Sequence, residues 1–202
     1  MTYRGIKMRF TTKAAVSLLA LFPALAWAHT GQDGGAHHTL SFSEGFLHPL
    51  TGADHLVVML LVGVWSAMNT RQWWLAPLVF AWLLLTGALA GMAGLTLSGT
   101  EFIVATSLLG LGVMVALQMK LPEATGALVI GAFAIFHGLA HGAELSHSLA
   151  ALSGMVVATA GLHLAGLGIG WLLIRSSVKQ GVSRVLGTFA SLLGIGLLAG
   201  II

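Results

Sequence analysis

Three side chains able to ligate a metal fall within eight residues, His48-Pro49-Leu50-Thr51-Gly52-Ala53-Asp54-His55, and the thioether of Met59 follows one helical turn beyond His55. A second set, His137, His141 and Glu144, is spaced i, i+4, i+7. On a helix that spacing puts two imidazoles and a carboxylate within roughly 60° of arc. Mixed imidazole and carboxylate donors suit a borderline divalent transition metal, whereas magnesium and calcium prefer all-oxygen shells. A plainer reading makes Asp54 a helix N-cap and the histidines hydrogen-bond partners between helices. His163 is a further candidate as a deeper relay ligand, and Met59 as a soft ligand or as core.

The surroundings favour the metal reading. The chain is 57% hydrophobic and 7% charged, against about a quarter charged in a soluble domain. Apolar stretches run over 46–68, 73–97, 102–117, 124–143, 149–174 and 185–202, each near the roughly 20 residues that cross a bilayer. The expectation is an all-α polytopic membrane protein of six transmembrane helices in contact with lipid. Inside a span a histidine or carboxylate costs a few kcal/mol unless it is paired, so such residues line a pathway or pack on partners.

Local signals position these elements. Ser41 with Glu44, and Ser98 with Glu101, have capping-box spacing, and Pro122 with Glu123 suits a helix start. A straight helix from Ser41 to Met68 would be about 42 Å long, so a break is expected at Pro49 or Gly52, freeing backbone carbonyls beside the ligands. Gly87 with Gly91, and Gly166, Gly168 and Gly170, are read as close helix contacts.

Arg4, Lys7, Arg9 and Lys13 precede an apolar run ending in Ala26-Trp27-Ala28, the pattern of a cleavable signal peptide over 1–28. The alternative is an uncleaved anchor. Residues 29–45 then form a periplasmic tail containing His29, Asp33, His37 and His38, in which the new amine and imidazole of His29 could chelate together; a merely solvated tail is the alternative. The transmembrane domain is 46–202. With the tail outside, Arg71, Lys120, Arg175, Lys179 and Arg184 all fall on cytoplasmic connections, as the positive-inside rule requires of an inner-membrane protein. Trp73 and Trp74 stand as anchors at that interface.

Several functions are excluded or disfavoured. The net charge of +3 forms no basic patch, so nucleic acid is dismissed as a partner. The absence of cysteine removes thiolate sites. No Gly-Lys-Ser/Thr nucleotide loop is present, and His137 is followed by Gly138 rather than by the glutamate of metalloprotease motifs. An enzyme is not expected, and no resident cofactor is required beyond the bound or carried ion.

The stretch from His48 to His55, with Met59 and Val62-Gly63 after it, resembles the first-helix signature of the HupE/UreJ family of nickel/cobalt permeases. Phe136-His137-Gly138-Leu139-Ala140-His141-Gly142-Ala143-Glu144 resembles that family's fourth-helix motif. The resemblance covers nearly the whole chain. It implies nickel uptake that supplies a metalloenzyme, with His48, Asp54, His55 and Glu144 foremost. Left open are cobalt or copper as the ion, an oligomeric assembly, and an intramembrane metal sensor or metalloenzyme that does not transport.

Overall fold

A computed structural model of the chain describes residues 40–145 and 147–201, with the backbone alone at Lys179. The signal segment, its cleavage site after Ala28, and His29, Asp33, His37 and His38 lie outside the described residues. The described chain is all-helical: α1 Phe42–Thr51, α2 Ala53–Asn69, α3 Leu75–Met92, α4 Thr100–Ala116, α5 Glu123–Glu144, α6 Leu149–Ile174 and α7 Lys179–Leu198. The main pairings are α3 on α5, α4 on α7, and α6 on both α2 and α1.

Helices α3, α5 and α6, together with Gln180–Leu198 of α7, are long and apolar enough to cross a membrane. α1 and α2 make a fifth span if taken together, and α4 is a shorter apolar helix of 17 residues. In place of a continuous first span, the chain bends by 82° between α1 and α2. Pro49 sits in the last turns of α1, where it has no amide hydrogen to donate, and Gly52 is extended between the two helices. Two of the carbonyls beside the ligands are engaged at the break. The His48 carbonyl accepts from the Gly52 amide at 3.3 Å and the Thr51 hydroxyl at 3.0 Å, and the Gly52 carbonyl accepts from Leu56.

The Ser41–Glu44 capping box forms at the start of α1, each residue satisfying the other's amide. The box expected at Ser98–Glu101 does not. Gly99, at φ 85°, is the N-cap of α4, so Glu101 is the second residue of the helix and out of register for a reciprocal cap with Ser98. Glu123 opens α5 and does more than favour its first turn: its Oε1 accepts the amides of Arg71 and Gln72, both at 3.0 Å, tying the α2–α3 connection to α5. At the same end of the bundle Trp65 Nε1 donates to the Met119 carbonyl, and Trp73 packs edge-on against Trp171.

Glycine sets how closely the helices approach. A methyl group on Gly138 or Gly142 of α5 would strike the Leu84 or Ala88 carbonyl of α3, and one on Gly87 would strike the Ile135 carbonyl. Each of these glycines in α5 directly follows a histidine. With the glycine stripe pressed on α3, the His137–His141 stripe about 100° around the helix faces the rest of the bundle. α2 and α6 approach in the same way, Gly63 against the His163 carbonyl and Gly166 against that of Leu60. Gly168, expected to join this contact, has nothing near its α-carbon in the direction a side chain would take. Gly87→Ala and Gly166→Ala are therefore expected to lower stability by about 1–3 kcal/mol each, read as a lower unfolding temperature in detergent, whereas Gly161→Ala and Gly168→Ala leave it unchanged or raise it.

Candidate metal centre

The two histidine sets, some 90 residues apart in sequence, meet at the end of the bundle where α1 ends, α2 begins and α5 ends. His48 Nε2 lies 2.9 Å from His141 Nδ1 and 3.4 Å from Glu144 Oε2, and His141 Nδ1 is 3.5 Å from the same carboxylate. The His55 ring is 4.3 Å from that of His141 and 5.2 Å from that of His137, centre to centre. Two triads result, each offering three ligand atoms within 4.8 Å of one another: His48, His141 and Glu144, and His55, His137 and His141.

The first triad is more exposed than the second, in which the side chain of His55 is 12% exposed. The side chain of Glu144 is 60% exposed, that of His48 28% and that of His141 3%, while His137 is fully buried. A cleft of about 1010 Å³ reaches His48, Asp54, His55, His141 and Glu144 from outside, and the carboxylate of Glu101 also lines it. Glu101 is thus part of the approach, a place its expected capping role did not suggest. Three carboxylates in one cleft raise the local concentration of cations.

Each buried ring is held from behind. Asp54 Oδ1 is 2.8 Å from His55 Nδ1. The carboxylate can only accept there, so Nδ1 carries the proton and the Nε2 lone pair points away. Ser107 Oγ donates to the Val104 carbonyl at 2.6 Å and lies 2.8 Å from His137 Nε2. In the tautomer in which the hydroxyl proton stays on Val104, His137 Nε2–H donates and Nδ1 holds the lone pair, the form a metal would select. Among the described residues His55 Nε2, His137 Nδ1 and His141 Nε2 are all buried without a hydrogen-bond partner. Partnerless buried nitrogens on converging rings, each ring fixed through its other nitrogen, are what a nitrogen-ligated metal needs.

Of the residues singled out from sequence, His48, His55, His137, His141 and Glu144 come together as possible ligands. Asp54 belongs to neither triad and stands behind His55. Met59 is fully buried with its sulfur accepting from Thr159 Oγ1 at 3.4 Å, apart from the two triads. His163 is also apart, facing the Pro77 carbonyl, with a buried partnerless Nε2. Phe80 lies between, its ring 5.9 Å from His137 and 5.0 Å from His163. Sequence reasoning missed Ser107 and Phe80. A lone serine and a lone phenylalanine in apolar helices carry no mark that distinguishes them from packing.

Residues 17–197 match the family described as HupE / UreJ protein. The chain is also similar to Protein HupE of Rhizobium leguminosarum bv. viciae, 36% identical over 194 residues that cover 94% of this chain and 96% of that one. No solved structure matches it.

Removing a group that orients a ligand costs metal affinity without removing the ligand. Asp54→Asn and Ser107→Ala are each expected to weaken binding of a divalent transition metal about 10–100-fold with the fold intact, measured by equilibrium dialysis of the purified protein.

Proposed function

This chain belongs to the HupE / UreJ family, and from that premise we propose that it is a secondary permease for a divalent transition-metal ion, nickel first. The observation that carries the reading is the set of three buried, partnerless ring nitrogens below a carboxylate-lined cleft. Such a site receives a hydrated cation at a carboxylate and two imidazoles, then offers it nitrogen ligands as water is lost. Magnesium and calcium gain nothing from an all-imidazole position, while nickel, cobalt and copper do. Nickel is preferred among these on the family resemblance.

The proposed membrane arrangement follows the charges. Arg71, Lys120, Arg175 and Arg184 stand on connections or within the first two turns of a helix, away from the cleft, which supports a cleft on the periplasmic side of a bacterial inner membrane. The α1–α2 pair and α4 complete six spans, α4 being near the short limit for crossing. The segment 1–28 acts as the signal peptide, and His29 in the tail is a further metal contact. Inward from the buried triad, His163 is the next side chain able to take the ion.

Energy is available without nucleotide. A doubly charged ion entering at 100 mV, negative inside, gains about 4.6 kcal/mol. Transport needs several sites of moderate strength rather than one deep one, which fits triads of three ligands. The protein's role in this reading is carriage and not chemistry on a substrate, so we assign no catalytic residue.

The test is uptake of radioactive nickel into proteoliposomes under an imposed potential, with cobalt, copper and zinc as competitors. Wild type is expected to carry nickel, and His55→Ala and Glu144→Ala to abolish the flux. Tight binding with no wild-type flux would instead favour a metal sensor.

A further inference from the structure

The His141 ring belongs to both triads, and its two nitrogens do different work. Nδ1 faces His48 Nε2 and Glu144 Oε2, while Nε2 is buried without a partner. His55 and His137, the other members of the buried triad, each have one ring nitrogen in that same condition. A neutral imidazole carries one N–H and one lone pair, so it ligates through one nitrogen at a time.

Resting on the metal-permease reading, we infer that the cluster is two alternative positions for a single ion, joined at His141, and never holds two ions together. In the outer position the ion takes His48, Glu144 and His141 Nδ1. In the inner position it takes His55, His137 and His141 Nε2. When Nδ1 is a ligand the ring proton is on Nε2, directed at the buried triad; when Nε2 is the ligand the proton is on Nδ1, where His48 and Glu144 can accept it.

The consequence is orderly passage. An ion in the inner position leaves His141 presenting an N–H to the cleft, so a second cation loses one of its three ligands there and meets the field of the first. The outer position is half-exposed and partly oxygen-ligated, which suits exchange of ligands with water. The inner one is more buried and all-nitrogen, which disfavours ions that require oxygen. Selection and entry are thereby separated by one ring.

The experiment counts nickel ions bound per chain in the purified full-length protein by equilibrium dialysis with radioactive nickel. Wild type is expected to bind one. His137→Ala, which spoils only the inner position, and the double variant His48→Ala with Glu144→Gln, which spoils only the outer, are each expected still to bind one, more weakly. His141→Ala is expected to bind none at the concentration that saturates wild type. Gel filtration identifies any variant that has not folded.

A second readout needs only the wild type: copper(II) loaded to saturation should give the electron paramagnetic resonance of isolated ions. Two nickel ions in wild type, or coupled copper pairs, would overturn the inference and leave the permease reading standing. Loss of binding in both partial variants, with wild type binding one, would show a single composite site and also overturn it. No binding by wild type would remove the metal reading itself, and this inference with it.

Discussion

A ring nitrogen taken out of water and given no hydrogen-bond partner costs about 1–3 kcal/mol, and His55, His137 and His141 each contain one. Three such costs at one place in a small bundle need an offset. Two of these rings could not turn to relieve them without giving up the bonds to Asp54 and Ser107 that hold them. In the proposed function a cation shared by the three ring nitrogens supplies the offset.

The rest of the fold follows from the need to hold those rings still. α5 presents glycine to α3 and histidine to the other side, so that its close seating on α3 also aims its imidazoles. α2 is fixed along its length by the Gly63 and Gly166 approach to α6, which settles the height of His55. The bend at Gly52 then brings His48, one helix earlier, back over His141. At the far end the bonds of Glu123 to the α2–α3 connection and of Trp65 to Met119 couple the same helices.

Much of this was legible in the sequence because it depended on short-range spacing. The i, i+4, i+7 set had to share a face of any helix containing it, and the length from Ser41 to Met68 forced a break. What depended on the neighbours of an element was not legible. Residues adjacent in a helix do not normally face each other, yet Asp54 binds its neighbour His55 because it lies in the first turn of α2, where its side chain can fold back. Asp54 therefore orients His55, a role its spacing alone did not suggest. Ser107 becomes important only because α4 happens to carry it to His137. Gly99, in the left-handed region, moved the start of α4 and undid the expected Ser98–Glu101 cap. Met59 shares a face with His55, but the opposing Thr159 captured its sulfur.

The central claim is that a divalent ion is held by these histidines, and X-ray absorption at the nickel edge of the metal-loaded protein examines it most directly. The account predicts a first shell of nitrogen and oxygen with the outer-shell scattering of several imidazole rings and no sulfur. A sulfur neighbour, which would implicate methionine, or an all-oxygen shell without imidazole scattering would contradict it.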